Sequence, residues 1–244
     1  MESLMDTYVL NEKNHKKWNE LHNQSAKMKT RLNPNEAIKK IIKFKNNHDT
    51  SASNRKVLEV GCGFGRNLYY LMDNHYAESY YGVDLTNKSV DIAKKLLSES
   101  FPQTECYIKQ ADVGEGLDYE GNYFDSVFDI MSAITFIVDE EDRQRYFSEV
   151  KRVLKKGGVY YFYCPRKGGI FRDAILDDNL LEKGYIRREL DCMLERVYTK
   201  KELVEFLQPL KLIQLEINSK HTRAFGNEIF IRDEGFWFGA FQKV

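Results

Sequence analysis

The stretch VLEVGCGFGRN, residues 57–67, carries three glycines in five positions directly after an apolar run. Glycine adopts backbone conformations that other residues avoid, and it lets another group approach the main chain closely. A helix is expected to begin near Arg66 and Asn67, and the first N–H groups of a helix have no partner inside it. The stretch therefore predicts a strand, a tight turn and a helix that together surround a ligand.

Strand-like and helix-like segments alternate through the rest of the chain. Short runs rich in β-branched or aromatic residues predict strands at 57–60, 79–85, 106–112, 124–131 and 159–164. Helical patterns lie between them at 88–100 and 140–156, and the second is expected to end with Gly157 and Gly158 as its C-cap. Alternation of this kind predicts an α/β fold, a parallel sheet with helices on both faces.

Composition sets limits on the class of protein. The chain has 244 residues, 42% of them hydrophobic, with 37 Lys plus Arg against 37 Asp plus Glu. A neutral chain has no overall field that would draw it onto nucleic acid or an anionic membrane, so neither is an expected partner. The four cysteines lie far apart and no metal site is predicted. Without an apolar run near the roughly 18 residues of a membrane span, a soluble, cytoplasmic protein is expected.

An acidic residue after the second predicted strand narrows the ligand class. Asp84 follows the glycines by about twenty residues, where a carboxylate can accept both hydroxyls of a ribose. An adenosine-containing cofactor is therefore indicated. The dinucleotide pattern GxGxxG fails, because Arg66 stands at its third glycine.

From about residue 55 to about residue 165 the chain resembles the class I S-adenosylmethionine-dependent methyltransferases. Five segments carry the resemblance in the family's order: residues 59–65, YGVDLT around Asp84, the loop 110–113, FDSVFDIM at 124–131, and KRVLKKGGVYYF at 151–162. Lys156 departs from the proline that the family often has. The resemblance implies a Rossmann-like fold, a seven-stranded, mostly parallel sheet with an antiparallel final strand, closed by strands at 211–218 and 235–244.

The resemblance also implies a cofactor and the residues that hold it. The cofactor is S-adenosyl-L-methionine, and the product is S-adenosyl-L-homocysteine. The implied cofactor-binding residues are Glu59, Gly61, Cys62, Gly63, Gly65 and Asn67 at the methionine end, Asp84 at the ribose, Asp112, Val113 and Leu85 at the adenine, and Asp129 and Ile130 beside the sulfonium. For Glu59, Asp112 and Asp129 an ordinary strand-end or capping carboxylate is the alternative.

Acceptor binding is expected from the segments around this core. We expect residues 1–50 to form a helical lid and 51–244 to form the catalytic domain, with a substrate-side insertion at about 165–198 that ends at a capping box of Thr199 and Glu202. His221 is the candidate catalytic base, with a surface histidine as the alternative. Candidate acceptor-binding residues are Tyr8, Trp18, Arg187 and Arg223. Basic residues of the insertion and of 220–223 suggest an anion clamp, with solvated surface charge as the alternative.

These features favour methyl transfer to an oxygen or nitrogen of a small polar metabolite, a phosphorylated or sugar-like one included. An RNA or protein methyltransferase is the first alternative, and a cofactor-binding scaffold without activity is the second. Residues 129–132 read DIMS and lack the Asn/Asp-Pro-Pro-Tyr/Phe motif associated with methylation of planar amino groups. The oligomeric state is left open.

Overall fold

A long mixed sheet forms the centre of the computed structural model, which describes residues 5–24, 32–48, 55–224 and 228–244. The strands are β1 Lys56–Val60, β2 Ser79–Asp84, β3 Glu105–Gln110, β4 Phe124–Ile130, β5 Leu154–Pro165, β6 Ile170–Phe171, β7 Ala174–Ile175, β8 Tyr185–Arg188, β9 Leu194–Arg196, β10 Lys211–Ala224 and β11 Glu228–Gln242. The main path runs β10-β11-β5-β4-β1-β2-β3, with β6 paired to β11. This confirms the predicted Rossmann-like architecture.

Helices cover both faces of this sheet. They are α1 Met5–Gln24, α2 Glu36–His48, α3 Arg66–Asp73, α4 Asn87–Ser100, α5 Ala133–Phe136, α6 Glu140–Val153, α7 Asp178–Glu182 and α8 Lys200–Leu207. Strands β1 to β5 pair in parallel, and β11 is antiparallel to both β5 and β10. Two apolar clusters, one on each side of the sheet, form the core. The carboxyl ends of the five parallel strands therefore meet at one edge.

The predicted C-cap of α6 is wrong. The helix ends at Val153, and Leu154 already has extended backbone and begins β5. Gly157 instead lies within the strand, with a φ of +80°, and its N–H donates to the carbonyl of Lys243 at 2.7 Å. Because this segment pairs with the end of the chain, the residues that the sequence predicts as a helix terminus form a strand. The predicted capping box of Thr199 and Glu202 at the start of α8 is confirmed.

The two final strands are longer than the predicted 211–218 and 235–244. Pro165, the last residue of β5, pairs with Phe236 of β11. Beyond that point β10 and β11 continue together as an arm, residues 219–224 and 228–235, in which Lys220 is opposite Arg232 and β6 pairs with the other edge of β11. Because β11 is antiparallel to β5, the arm projects past the carboxyl ends of the parallel strands.

The segment 165–198 forms a small unit of its own at this edge. Strands β7, β8 and β9 make a three-stranded antiparallel sheet. The fully buried guanidinium of Arg232 fastens it to β11, with hydrogen bonds of 2.6 Å to Asp173 and 2.5 Å to Glu195. Within the part of the chain described here, no helix has the length and apolar character needed to cross a membrane.

Candidate active site

The glycine loop between β1 and α3 takes the conformations that its sequence predicts. Gly61, Gly63 and Gly65 have φ values of +64°, +53° and +83°. A Cβ on Gly61 would lie 1.6 Å from the Oγ of Ser132, so this position must be glycine for the loop after β4 to approach. A Cβ on Gly63 would meet nothing within 4 Å. The loop is therefore closed against the protein at its first glycine and open at its second.

Glu59 brings a buried carboxyl group to the base of this loop. The side chain is 1% exposed, and its Oε1 accepts a hydrogen bond of 2.7 Å from Nδ2 of Asn67. Its Oε2 has no hydrogen-bond partner among the described residues. Burial raises the pKa of Glu59 to about 8. A buried acceptor atom without a donor fits a site that receives a cationic group, because such a group would both satisfy and ionise it.

Asp84 joins the end of β2 to the glycine loop. Its Oδ2 accepts the N–H of Gly63 at 2.9 Å, and its Oδ1 accepts the N–H and the hydroxyl of Thr86, both at 3.0 Å. A carboxylate has about four acceptor sites, so three donors leave capacity for a further hydroxyl. The carboxylate is thus oriented by the protein before any ligand arrives.

Asp112 continues the same edge after β3. Its Oδ1 accepts the N–H of Gly114 at 2.9 Å, and its Oδ2 lies 3.5 Å from Nδ1 of His15. Val113 is partly buried against the core, and the carbonyl of Leu85 accepts a 3.0 Å hydrogen bond from Gln110. Asp84 is therefore the last residue of β2, and Asp112 lies just past the end of the neighbouring strand β3.

Asp129 has a different environment from the one expected for a residue beside a ligand. Its carboxylate accepts four hydrogen bonds, from the N–H groups of Ser132 at 3.1 Å and Ile134 at 2.7 Å and from the hydroxyls of Tyr146 at 2.6 Å and Tyr160 at 3.3 Å. Burial raises its pKa to about 6. The capping alternative thus describes this carboxylate: it holds the loop after β4 in place.

The loop that Asp129 holds has an unusual backbone. Met131 has a φ of +58°, which is rare for a residue with a side chain, and its N–H donates to the carbonyl of Tyr163 at 2.8 Å. Ile130 is buried in the apolar core. Conformations of this kind persist where the surroundings enforce them, and they cluster at functional sites.

Helix α1 lies across the same edge of the sheet. Besides the contact of His15 with Asp112, Nδ1 of His22 lies 2.8 Å from both Thr86 Oγ1 and Ser89 Oγ. The His22 ring is also 5.3 Å from the ring of Phe64 in the glycine loop. Burial lowers the pKa of His22, against the opposing charge of Asp84. Sequence reasoning missed both histidines as site residues, although their spacing puts them near one face of a helix.

The flank of α1 next to these histidines contacts the insertion. Nδ2 of Asn14 donates to the carbonyl of Leu194 at 3.3 Å, and Nζ of Lys17 donates to the carbonyl of Asp191 at 2.5 Å. The Trp18 ring packs edge-on against Phe136 at 5.0 Å, with the guanidinium of Arg188 5.6 Å from its centre. Trp18 therefore lies where α1, α5 and the insertion meet.

The remaining predicted residues contribute less to this picture. The side chains of Tyr8, His221 and Arg223 lie outside the described residues, and their roles stay predictions. Arg187 is half-buried and donates to the carbonyl of Cys192 at 3.2 Å. Other arginines of the proposed clamp form ion pairs, Arg166 with Glu234, Arg172 with Asp233 and Arg188 with Asp191. For Arg166 and Arg172 the surface-charge alternative is favoured, whereas Arg188 is buried with its ion pair.

Several known proteins that this chain resembles are methyltransferases. Residues 57–158 match the family described as "Methyltransferase domain". The chain is 29% identical over 106 residues to a phthiotriol/phenolphthiotriol dimycocerosates methyltransferase of Mycobacterium tuberculosis (strain ATCC 25177 / H37Ra), over 43% of this chain and 36% of that protein. It is 28% identical over 111 residues to ajmaline N-methyltransferase of Rauvolfia serpentina, over 46% of this chain and 36% of that protein.

A solved structure shows the same fold over most of the chain. A SAM-dependent methyltransferase from Methanosarcina mazei superposes with a TM-score of 0.63 at 19% identity, covering 82% of this chain and 97% of that one. The chain spans only 36–52% of the length of the curated relatives it matches. The matched region contains the glycine loop, Asp84, Asp112 and Asp129. Over residues 57–158 the chain is therefore similar to the methyltransferase-domain family, and it has the fold of a solved SAM-dependent methyltransferase.

Proposed function

We propose that this protein is an enzyme that transfers a methyl group from S-adenosylmethionine to an oxygen or nitrogen of a small polar molecule. The observation that carries the proposal is the presence of two carboxyl groups at the glycine loop, Glu59 bonded to Asn67 just after it and Asp84 bonded to the open glycine, Gly63. Glu59 has a buried oxygen without a donor, and Asp84 has unused acceptor capacity. The Glu59 oxygen suits an ammonium group, and the Asp84 carboxylate suits the hydroxyls of a ribose.

The residues present fit the cofactor. Glu59 would receive its amino group, and the N–H groups of the loop after Gly61 would face its methionine end. Asp84 would accept the ribose hydroxyls. Asp112 would accept the adenine amino group at an acceptor site that Gly114 and His15 leave unused. Val113 and Leu85 would pack the ring.

The chain's own contribution to transfer is positioning and exclusion of water. When bound, the cofactor supplies a methyl group on a sulfonium, already activated for displacement. Holding an acceptor in line with that group accounts for much of the acceleration in reactions of this kind. A general base is needed only for an acceptor that arrives protonated. His221 remains our candidate for that role.

We further propose that residues 1–50 act as a lid and that the insertion at 165–198 walls the acceptor site. The support is that α1 contacts both the cofactor-binding edge, through His15 and His22, and the insertion, through Lys17. An acceptor enclosed between them would be small. The relatives named above are described by small-molecule acceptors, phthiotriol or phenolphthiotriol dimycocerosates and ajmaline. A macromolecular acceptor would need α1 to move away.

Two measurements test the function. Calorimetry should detect binding of S-adenosylmethionine, and incubation with cofactor labelled in its methyl group and a deproteinised metabolite extract should transfer label to small molecules. The Asp84→Ala variant serves as the control for both. Cofactor binding without transfer of label would support a cofactor-binding scaffold without activity. Label in RNA or protein alone would support an RNA or protein methyltransferase.

A further inference from the structure

Strand β3 lies at the end of the main sheet. Among the strands described, its only partner is β2, which pairs with it in parallel. The N–H of Ala111, just past β3, donates to the carbonyl of Asp84 at 3.0 Å. Main-chain groups alternate in direction along a strand, so those of every second residue before Ala111 also point to β2. The N–H and C=O groups of Cys106 and Ile108 therefore point away from β2, to the outer edge.

The outer edge of β3 lacks the devices that usually prevent pairing with another strand. The strand contains no proline, and its register with β2 is continuous over all six residues. Tyr107, near its middle, is 51% exposed, although its ring stacks on that of Tyr81 at 5.0 Å. These two rings and Tyr119 line a groove along the edge. An aromatic side chain is thus available for contact halfway along the strand.

Charged side chains flank Tyr107 symmetrically. Glu105 and Lys109 lie two positions before and after it, so all three side chains are on one face of the strand. Glu105 accepts the hydroxyl of Ser79 at 2.7 Å. Nζ of Lys109 donates to the carbonyl and the carboxylate of Asp118, at 2.9 and 3.1 Å. A carboxylate has about four acceptor sites and an ammonium three donors, so each group has capacity for one more partner.

This order of charges is self-complementary in an antiparallel pair of strands. A two-fold axis through Tyr107 puts Cys106 of one copy opposite Ile108 of the other, and their outward main-chain groups then form four hydrogen bonds. On the other face the same axis puts Glu105 opposite Lys109 twice. The neighbouring registers that keep such main-chain bonds place Glu105 or Lys109 opposite Tyr107 instead. The register centred on Tyr107 therefore joins opposite charges, and its neighbours do not.

We propose that β3 pairs with β3 of a second copy of this chain, antiparallel and centred on Tyr107, so that two main sheets become one continuous sheet. The charge order selects this occupant, because each copy supplies the complement of the other. Two strands of six residues bury less than a standard interface of about 1,600 Å², so we expect a dissociation constant on the order of 10 µM. The contact lies at the opposite end of the sheet from β10 and involves neither cofactor nor acceptor.

Sedimentation velocity of the full chain measures the pairing, with wild-type protein changing from monomer to dimer between about 1 and 200 µM. Glu105→Lys and Lys109→Glu should each weaken the dimer at least about tenfold, because each puts like charges opposite each other twice. The double variant should recover the dimer, because the exchanged charges again face their opposites. Glu205→Lys and Lys201→Glu, at an exposed ion pair on α8, carry the same charge changes and should leave the dimer unaltered.

A disulfide tests the register independently of the charges. At the two-fold axis the two Cα atoms of residue 107 would be about 4.5 Å apart, within the range that a disulfide spans. In a Cys192→Ser background, which removes the exposed cysteine, Tyr107→Cys should link two copies. Oxidised glutathione takes up the two electrons and two protons of the thiols. Glu105→Cys, which faces residue 109 of the other copy, should not cross-link, and peptide mass spectrometry locates the bond.

Three results would each overturn the proposal. The first is wild-type protein that stays monomeric at about 200 µM. The second is a dimer that both single charge variants form as tightly as wild type. The third is equal cross-linking of Tyr107→Cys and Glu105→Cys. Circular dichroism establishes that each variant is folded, and the cross-link decides the question if a charge variant does not fold.

Discussion

Oδ2 of Asp84 accepts the backbone N–H of Gly63 at 2.9 Å, so the proposed ribose carboxylate and the open glycine are fixed to each other. Asp84→Ala removes this bond as well as the acceptors for the ribose. Each lost charge-assisted bond is worth about 1.5–3 kcal/mol, so affinity for S-adenosylmethionine should fall at least about tenfold. Calorimetry measures this affinity, and the exposed Asp91→Ala serves as the control. Unchanged affinity in a folded variant would show that Asp84 does not bind the cofactor.

Cofactor binding should release a proton from Glu59. With a pKa of about 8 the free carboxyl is mostly protonated at neutral pH, and a cationic amino group beside Oε2 favours the ionised form. The bound pKa is then lower than the free one, so affinity should rise with pH and level off above about 8.

The proton is counted by calorimetry in buffers of different ionisation enthalpy. Wild-type protein should give heats that depend on the buffer at neutral pH, and Glu59→Gln should give heats that do not. The same heat in every buffer for wild-type protein would mean that Glu59 keeps its protonation state.

The buried carboxyl of Asp129 should make folding weaken as pH rises. Its folded pKa of about 6 exceeds the ordinary value of 3.8, so between these values the folded state holds a proton that the unfolded state has lost. Stability contributed by this group is complete below the ordinary value and is lost as pH passes the folded one. The difference corresponds to about 3 kcal/mol at neutral pH.

Urea unfolding at several pH values checks this for wild type and for Asp129→Asn. The asparagine keeps one acceptor for the loop but does not titrate, so the difference in unfolding free energy between variant and wild type should change across this range. A constant difference would indicate that the carboxyl titrates alike in folded and unfolded chains.

Helix α1 should become more protected when the cofactor binds. S-adenosylhomocysteine bound at the strand ends would add contacts to those that α1 already makes through His22 and Trp18. Hydrogen exchange of residues 12–22 should slow in its presence, and Trp18→Ala should reduce that slowing because the contact with Phe136 is lost. Identical exchange with and without ligand would argue against a lid.

Local chemistry explains what the sequence predicts well. The glycine loop is predicted by its three closely spaced glycines and Asp84 by its position after an apolar run, and five parallel strands follow from short apolar runs. The contacts of His15 and His22 instead join distant parts of the chain, and His22 and Thr86 are 64 positions apart. No sequence pattern near either histidine predicts such a contact. The position of Lys220 likewise depends on a register shift in the pairing of β10 with β11 and on the contact of α2 with β10, which only the assembled fold provides.

The buried pairing of Arg232 with Asp173 and Glu195 joins residues of the insertion to a strand outside it. Removing one partner of a buried ion pair leaves the other charge uncompensated, at a cost of about 3–5 kcal/mol. A graft of residues 165–198 from a relative would therefore bring its own carboxylates or leave a charge without a counterpart in β11. An experiment that exchanges this segment to change acceptor specificity therefore has to exchange residue 232 of β11 with it.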